Sequence, residues 1–363
     1  MILHLAPDYF NTPLYQRLIE AEQVQHPALD YRVYVCDNHR APHQAAGVYY
    51  VNRSFSALER LLFFPKQNYL LRDIERLGLP GDIQLIHAHT LFSSGYLAYR
   101  LYKKYGIPYI VAVRNTDVNV FFKHMPHLRP IGRQIAAHAQ KIIFISPAYS
   151  HQVMGTYLPE ELRSNTCILP NGIDPSFLDN ISRHAPAKET IRLIYVGKIV
   201  KGKNIHTIIR VADELIRQGH KVTLCLVGSI INQEYRALID ARKEYIEWHD
   251  QCPLEEVRQH LRRNDIFIMP SYAETFGLVY VEAMSQGLPV IYTRGQGFDG
   301  FFEDGHVGYA VPAEDVSAIA RRVLDIRGNY SELSDNCIRE AKQFDWQIIA
   351  GQYNNLYNTV LTQ

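Results

Sequence analysis

The sequence has few of the residues from which proteins build cross-links and metal sites. Its five cysteines are an odd number, and no Cys-x-x-Cys pair occurs among them. This argues against a disulfide framework or a zinc site and is typical of a chain kept reduced in the cytosol. The sequence also lacks an Asp-x-Asp pair, a common clamp for a divalent ion. We therefore expect a site that works without a metal or other cofactor.

Strong charge and long apolar segments are absent as well. The 38 Lys and Arg residues nearly balance the 37 Asp and Glu residues, for a formal net charge of +1. This balance gives no reason to expect a nucleic-acid partner. No apolar run approaches the roughly 20 residues of a membrane-spanning helix, and the N-terminus does not have the pattern of a secretory signal. We expect a cytoplasmic protein.

Short apolar segments alternate with helical patterns along the whole chain. The length of 363 residues exceeds one ordinary core and fits two domains. Continuous apolar strands separated by helices predict parallel sheets covered on both faces. We predict two tandem Rossmann-like α/β domains, 1–182 and 183–345, with a closing helix at about 346–363 that joins the first. Such sheets bind ligands at the carboxyl ends of their strands, so we expect the ligand cleft between the domains.

The most informative stretch is Met269–Ile291. It leaves an apolar strand, passes through a loop with Glu274, and enters a helical pattern at Gly277 with Glu282 on the second turn. The start of a helix offers unpaired N–H groups and the positive end of the helix dipole, which bind anions. Carboxylates instead accept hydrogen bonds from hydroxyl groups. A phosphate with hydroxyl-rich groups on both sides describes a nucleotide sugar.

A second loop carries positive charge between a strand and a helix. The run Gly197–Asn204 nearly spells the phosphate loop G-x-x-x-x-G-K-[ST], but Asn204 stands where Ser or Thr would bind magnesium. We therefore exclude a phosphate-loop triphosphatase. Lys198 and Lys203 remain as cations that could neutralise a pyrophosphate. The alternative is that both are ordinary solvated charge.

Two polar clusters follow strands in the first half of the chain. His87 and His89 point to one face of a strand, but a metal site needs a third ligand and the spacing identifies none. We interpret them as polar residues that face the ligand cleft. Arg114, Asn115 and Asp117 follow a neighbouring strand, where a substrate role and a helix cap or local ion pair are both open.

Residues 54–77 combine basic residues with an apolar stripe, interrupted at Pro65. Helices of this kind pack on a sheet or lie at a membrane surface. We favour core packing, and peripheral membrane contact stays the alternative.

Taken together, these motifs resemble the family-4 glycosyltransferases, retaining enzymes with the two-domain GT-B fold. The segment PSYAETFGLVYVEAMSQGLPVI, Pro270–Ile291, is similar to the family's E-x7-E region nearly throughout. Supporting similarities are YVGKIVKGKN at 195–204, Leu169–Asp174, and the glycine-containing stretch 295–308. The resemblance covers essentially the whole chain and is strongest from about 169 to 312.

The resemblance implies a role for each matching residue. Glu282 aligns with the carboxylate that holds the ribose hydroxyls, and Glu274 with the one that contacts the transferred sugar. Lys198 and Lys203 would stabilise charge on the leaving diphosphate, and with Glu274 they form the expected catalytic set. The expected donor site is Gly197, Lys198, Lys203, Glu274, Thr275, Phe276, Gly277, Leu278 and Glu282. Arg114, Asn115 and Asp117 would lie on the acceptor or sugar side, and no metal is expected.

The activity implied is retaining transfer of a hexose from a nucleoside-diphosphate sugar to a hydroxyl group of a glycan or glycolipid. The backbone near Trp248–Pro253 is expected to contact the base. Polysaccharide or cell-surface glycan synthesis, at the inner face of the membrane for a lipid acceptor, would be the setting. Two alternatives stay open: a sugar-nucleotide epimerase with the same fold, and a nucleotide-sugar binding protein without catalysis.

Overall fold

The computed structural model describes residues 1–36, 48–50, 55, 62–183 and 185–362. Contacts divide the chain into two compact units. The first unit comprises Met1–Ile145, Ser150–Asn171 and Trp346–Gln363, and the second comprises Ser146–Tyr149 and Gly172–Asp345.

Parallel strands form the sheet of the first unit. In chain order they are β1 (Ile2–Leu5), β2 (Tyr31–Val35), β3 (Val48–Tyr50), β4 (Leu85–Ala88), β5 (Tyr109–Val113), β6 (Lys141–Phe144) and β7 (Thr166–Ile168). They lie side by side in the order β3-β2-β1-β4-β5-β6-β7. The helices are α1 (Pro13–Gln25), α2 (Phe63–Arg76), α3 (Gly95–Tyr105), α4 (Arg129–His138) and, at the boundary of the units, α5 (Pro147–Val153). A π-helical turn spans Asp117–Phe122.

The second unit repeats this plan. Its strands are β8 (Thr190–Val196), β9 (Lys221–Val227), β10 (Ile246–His249), β11 (Ile266–Met269), β12 (Val290–Thr293) and β13 (Gly308–Val311), in the spatial order β10-β9-β8-β11-β12-β13. The helices are α6 (Pro175–Asp179), α7 (Ile205–Arg217), α8 (Glu234–Asp240), α9 (Leu254–Arg262), α10 (Leu278–Ser285), α11 (Val316–Gly328) and α12 (Tyr330–Ala341); α13 (Trp346–Leu361) then returns to the first unit. The prediction of two parallel-sheet α/β domains is confirmed.

In both sheets the direction of the strand order reverses next to the first strand of the unit. In the second sheet, β8 has β9 on one side and β11 on the other. At such a point the loops that leave adjacent strands diverge to opposite faces and open a crevice at the carboxyl ends. The loops after β8 and β11 are the two charged loops singled out in the sequence.

The closing helix α13 belongs to the first unit because its inner face packs on α1 and the sheet. Ile349, Ala350 and Tyr353 are buried there in the same core as β1 and β2. The Tyr31 hydroxyl donates a 2.7 Å hydrogen bond to the side chain of Asn354. The buried helix face and the hydrogen bond from Tyr31 together hold this segment in the first unit, although it begins 175 positions after the preceding first-unit residue, Asn171.

The contacts place the change of unit at Gly172, eleven residues before the boundary at 183 that the sequence suggested. The reason is α6, which packs on α10 and buries Phe177. Arg258 also donates a 2.7 Å hydrogen bond to the backbone carbonyl of Ser176. The second unit therefore begins before this short helix, and the boundary at 183 falls after it.

The amphipathic pattern at 54–77 corresponds to α2, and its first part at 54 and 56–61 lies outside the described residues. Helix α2 is not interrupted at Pro65, which is its third residue, where a missing N–H costs nothing. Leu70, Leu71 and Ile74 are buried, so this part of the stripe packs in the core. Among the described residues, no helix has the length and apolarity to cross a bilayer.

His87 and His89 are fully buried, so the interpretation that they face a ligand cleft is wrong. A third histidine, His4, lies beside them because β1 pairs with β4 in the register His4 to His87. The Nδ1 atom of His4 is 3.0 Å from Nε2 of His89. The Nδ1 atom of His87 is 2.8 Å from the hydroxyl of Tyr357. Spacing along one strand could not reveal a neighbour 83 residues away.

A buried carboxyl completes this network. The Tyr357 hydroxyl donates a 2.6 Å hydrogen bond to Oε1 of Glu22, and the other oxygen of Glu22 is 3.3 Å from His4. Burial raises the pKa of Glu22 from 4.5 to about 8 and lowers the pKa of His4 to about 3. Both groups are therefore neutral near pH 7, which avoids the cost of two buried charges.

This network predicts a specific pH dependence for Glu22→Gln. Because the folded state holds the Glu22 proton more tightly than the unfolded chain, this residue's contribution is greatest below about pH 4.5 and declines as the pH rises through 8. Gln does not titrate, so the stability of the wild type relative to Glu22→Gln should fall by an amount of the order of a few kcal/mol between pH 5 and 8. Thermal unfolding of both proteins across this range measures it.

Glu20→Gln is the matched control, since Glu20 lies exposed on the same helix. It should track the wild type at every pH. A difference between wild type and Glu22→Gln that does not change with pH would contradict the buried neutral carboxyl.

Candidate functional site

The loops after β8 and β11 meet in the second unit and bring opposite charges together. Lys203, at the end of the first loop, lies with its Nζ atom 2.5 Å from Oε2 of Glu274 in the second loop. The lysine side chain is 28% exposed and the carboxylate 13% exposed. The pair is thus partly shielded from water. A charged contact in such a position is stronger than one on an open surface. Two residues 71 positions apart, both expected in the donor site, are in direct contact.

A buried asparagine fixes this meeting point. Asn204, directly after Lys203, has a left-handed backbone with φ of 58° and is fully buried. Its side-chain NH2 group donates to the carbonyls of Pro270 (2.9 Å) and Ala313 (2.7 Å). It therefore ties together the chain after β8, β11 and β13. The phosphate-loop comparison gave Asn204 no role, and the structure shows that it is a structural clamp.

The start of α10 supplies a group of N–H donors beside the ion pair. The N–H of Thr275 donates to Oε1 of Glu274 at 3.1 Å, which holds the carboxylate against the helix start. Within the described part of the chain, the N–H groups of Phe276, Gly277 and Leu278 donate no hydrogen bond. The Phe276 ring is buried against aromatic side chains of the same unit, so the backbone is held while its N–H groups stay available. Such donors at a helix start form an anion site.

A glycine-containing loop after β12 packs against the back of Glu274. The Gln296 side chain accepts from the backbone N–H of Glu274 at 3.2 Å, and the N–H of Gly297 donates to the Glu274 carbonyl at 2.9 Å. A Cβ on Gly297 would lie 2.8 Å from Cγ of Glu274. The absence of a side chain at 297 is therefore what lets the Glu274 side chain sit where it does.

A cavity of about 230 Å³ opens beside the β8 loop. The chain can turn closely here because Gly228 approaches the Gly197 carbonyl, and a Cβ on Gly228 would lie 2.0 Å from that oxygen. Lys198 is exposed at the rim. Residues lining the cavity include Gly197, Lys198, Gly228, Ser229, Gln251 and Cys252. The last two fall in the stretch expected to contact a base.

Glu282, the second carboxylate of the E-x7-E region, lies on the second turn of α10 and is partly exposed. Its backbone carbonyl accepts a 2.7 Å hydrogen bond from the Ser285 hydroxyl.

In the first unit, Asp117 has a different role from the one first considered. Its carboxylate is fully buried and accepts hydrogen bonds from the N–H groups of Leu91 (2.9 Å), Phe92 (3.0 Å) and Arg114 (2.8 Å). Burial raises the pKa of Asp117 to about 6, and the three N–H donors oppose that rise. The cap that the sequence left open is the role observed: Asp117 holds the loop after β4 against the one after β5.

Arg114 and Asn115 lie nearer the surface of the first unit than Asp117 does. Arg114 is partly buried and donates a 3.1 Å hydrogen bond to the side chain of Asn171. Asn115 is exposed and accepts a hydrogen bond from the side chain of Asn119. Of the three residues assigned to the acceptor side, Asp117 alone is fully buried.

Two family models match the chain, one after the other. The family described as "Glycosyltransferase Family 4" matches residues 24–177, and the one described as "Glycosyl transferases group 1" matches residues 177–344. The chain belongs to the family-4 glycosyltransferases. The comparisons therefore favour a transferase over an epimerase or a binding protein without catalysis.

Individual relatives of this glycosyltransferase are distant. An uncharacterised glycosyltransferase of Methanocaldococcus jannaschii is 24% identical over 268 residues, which cover 73% of this chain and 72% of that protein. The capsular polysaccharide biosynthesis glycosyltransferase CapM of Staphylococcus aureus is 26% identical over 249 residues, or 62% of this chain and 63% of CapM.

Solved structures show the GT-B fold of the glycosyltransferase over its whole length. The lipopolysaccharide outer core galactosyltransferase WaaB superposes with a TM-score of 0.77 at 17% identity, covering 99% of both chains. HepE of Anabaena, solved in complex with UDP, gives a TM-score of 0.70 at 17% identity, again covering 99% of both chains.

Sequence reasoning found the two loops of this glycosyltransferase but missed the residues that hold them. The side chains of Asn204 and Gln296 form hydrogen bonds with backbone groups of the site, and these partners lie far away in the sequence. The Gly-Lys-Asn run before a helix was a usable signal for Asn204, since asparagine tolerates a left-handed backbone better than most residues. Gln296 carried no comparable signal.

Gly297→Ala tests whether the β12 loop positions Glu274. The new methyl group would press on the Glu274 side chain, so we expect donor turnover to fall roughly 10- to 100-fold by misplacement of the carboxylate. Initial rates at saturating donor measure the effect.

Gly295→Ala is the control in the same loop. Gly295 also has positive φ, but a Cβ there would meet nothing within 4 Å. This variant pays the backbone cost alone and should turn over donor close to the wild-type rate. Equal losses in the two variants would point to loop strain instead of displaced Glu274.

Proposed function

We propose that this glycosyltransferase is a retaining enzyme that moves a hexose from a nucleoside-diphosphate sugar to a hydroxyl group of a glycan or glycolipid. The observation that carries the proposal is the Lys203–Glu274 pair beside the N–H groups at the start of α10. One place then offers cations and N–H donors for a diphosphate and a carboxylate for sugar hydroxyls.

The diphosphate is assigned to the N–H groups of Phe276, Gly277 and Leu278 together with Lys198 and Lys203. Positive charge and oriented N–H groups stabilise the phosphate as the bond to the sugar breaks. Lys203 faces Glu274 before the donor arrives, so the lysine can contact the phosphate while Glu274 turns its oxygens to the sugar hydroxyls. Glu282 is assigned to the ribose hydroxyls.

The nucleoside is assigned to the cavity between the β8 loop and the segment that carries Gln251 and Cys252. Lys198 lies at the rim of the cavity and is itself assigned to the diphosphate. The binding sites for the base and for the phosphates would therefore adjoin. Because HepE was solved with UDP, UDP-sugars are the first donors to test.

The leaving phosphate is proposed to accept the proton of the acceptor hydroxyl as the new glycosidic bond forms on the same face of the sugar. The protein then contributes positioning and electrostatic stabilisation and needs no base of its own. In the first unit, Arg114 and Asn115 are assigned to the acceptor or sugar, and Asp117 supports Arg114 through its backbone N–H.

Polysaccharide or cell-surface glycan synthesis is the proposed setting, in line with the role of CapM in capsular polysaccharide biosynthesis. A lipid-linked acceptor would bring this enzyme from the cytoplasm to the inner face of the membrane.

The two glutamates are predicted to fail in different ways. Glu282→Gln should weaken binding of the bare nucleoside diphosphate by about 1.5–3 kcal/mol, the worth of a charged hydrogen bond to ribose. Glu274→Gln should leave that affinity nearly intact, because the bare diphosphate lacks the sugar, while kcat falls steeply. Calorimetric titration with UDP alongside initial rates separates the two.

The division of roles would be wrong if Glu274→Gln weakened UDP as much as Glu282→Gln does. If both variants only lowered the unfolding temperature and kept wild-type kinetics, the glutamates would be structural and the assigned site would fall.

Catalysis is predicted to need no divalent ion at the diphosphate, because Lys198 and Lys203 supply the positive charge that such an ion would bring. At saturating donor, initial rates of transfer in excess EDTA should match those with added magnesium or manganese within about twofold, a difference well below the several kcal/mol that a catalytic metal contributes. Activity lost on chelation and restored by magnesium or manganese would overturn this prediction.

A further inference from the structure

A second cluster of chemically active side chains lies on the second sheet, outside the residues assigned to the reaction. Cys225 is on β9, His249 ends β10 and His260 is on α9, which covers that face of the sheet. Their ligand atoms, one sulfur and two imidazole nitrogens, all lie within 4.8 Å of one another. Strands β9 and β10 pair with Cys225 opposite Glu247, so Cys225, Glu247 and His249 share one face by strand alternation.

The geometry is close to that of a coordinated metal. The His249 and His260 rings have centroids 4.1 Å apart and are inclined by 41°. Tetrahedral zinc, with bonds of about 2.3 Å to sulfur and about 2.1 Å to nitrogen, separates its ligand atoms by about 3.4–3.6 Å. Side-chain rotations that move the ligand atoms by about 1 Å would close the difference from the 4.8 Å observed. The His249 side chain is one-third exposed, which leaves room for such a rotation.

The donor set suits zinc in charge as well as in kind. A thiolate and two imidazoles are the ligands that zinc prefers. Glu247 has its Oε1 atom 2.8 Å from Nε2 of His249 and can serve as a fourth ligand or orient that imidazole. With the thiolate and this carboxylate, a divalent ion gives a neutral site, which a partly buried position tolerates best.

Zinc binding requires Cys225 to lose its thiol proton, because the thiolate is the form of cysteine that binds the metal. Zinc displaces that proton when it binds cysteine.

The three ligands lie close in sequence to residues that line the nucleotide cavity. The nucleotide cavity is lined by Val227, two residues after Cys225; by Gln251 and Cys252, two and three residues after His249; and by Val257, three residues before His260. A metal bound to all three ligands would join β9, β10 and α9 immediately behind that wall.

We propose that Cys225, His249 and His260 bind a zinc ion that braces the wall of the nucleotide cavity. The zinc site stands on these ligands alone, and its effect on nucleotide affinity rests on the proposed function. This revises the expectation, drawn from cysteine spacing, that the chain has no zinc site. The ligands come from three elements with separations of 24 and 11 residues, which no compact Cys/His motif contains.

The other histidine cluster, His4, His87 and His89, also brings three ligand atoms within 4.8 Å. It offers no thiolate, its imidazoles are fully buried, and His4 and His89 already share a 3.0 Å hydrogen bond. Only the cluster around Cys225 offers a thiolate to balance the charge of a zinc ion, so it is the better candidate for a zinc site.

Metal content of the full chain tests the site directly. Protein dialysed against micromolar zinc should hold one zinc ion per chain by elemental mass spectrometry, and binding should raise its unfolding temperature by about 5–10 °C at a hundredfold excess over Kd. Cobalt in place of zinc should give the absorption of a thiolate-bound ion. His249→Gln and His260→Gln, at partly exposed positions, should lower the metal content at least tenfold while circular dichroism shows an unchanged fold.

Cys252→Ser and His220→Gln are controls for metal content, since neither residue is in the cluster, and both should keep one zinc ion. Wild-type protein that binds no stoichiometric zinc would overturn the site. So would folded His249→Gln and His260→Gln variants that still retain it.

The bracing effect has its own readout. Zinc-depleted protein should bind UDP several-fold more weakly, zinc but not magnesium or manganese should restore the affinity, and His260→Gln should not respond to zinc. Stoichiometric zinc with unchanged UDP affinity would overturn the brace and leave the metal site. If UDP fails to bind with or without zinc, the proposed donor site fails, and the metal content still decides the zinc site.

Discussion

One buried amide group holds the reactive end of the second sheet together. The side chain of Asn204 donates to two backbone carbonyls, after β11 and after β13, while its own backbone turns the chain from β8 into α7. Aspartate would place a carboxylate against two carbonyl oxygens, and glycine would leave both carbonyls without their donor. Because Lys203 precedes this residue and Glu274 follows Pro270 by four positions, the contact between lysine and carboxylate depends on the clamp. Asn204 does not fit the phosphate-loop pattern, yet it is the residue that holds the loops of this site together.

The Lys203–Glu274 pair also bears on how the proposed site would bind a diphosphate without being strongly positive. Lysine next to a carboxylate contributes little net field at a distance, and the formal charge of the chain is +1. The attraction for a diphosphate must then be local, from N–H groups at the start of α10 and from Lys198 at the rim of the cavity. A ligand that brings both an anion and hydroxyl groups is favoured over a simple anion, because only the former uses Glu274 as well as Lys203.

The sequence was sufficient for the features that repeat along the chain. Continuous apolar strands and intervening helices specified two parallel sheets, and the loop with Glu274 followed by a helix start was recognisable, because those signals are local. Contacts between distant elements were not readable. His4 joins His87 and His89 through strand register, and Asp117 turns inward to three backbone N–H groups although an acidic residue after a strand also suits substrate binding. The early change of unit at Gly172 depends on Phe177 finding a place against α10, which no composition pattern expresses.

The two sheets have the same plan but use their strand ends differently. In the first, polar groups near the strand ends are buried and contact one another: His4 lies against His89, Tyr357 donates to Glu22, and Asp117 accepts hydrogen bonds from the neighbouring loops. In the second, the lysines and the backbone N–H groups at the start of α10 keep capacity for a ligand. Neutral groups that bond to one another can be buried at little electrostatic cost and make the surrounding structure rigid. Exposed charges and N–H groups without a partner can instead form hydrogen bonds with a ligand. The charged groups proposed to bind the donor therefore lie in the second unit. The first unit has a neutral buried network and the polar surface around Arg114 and Asn115.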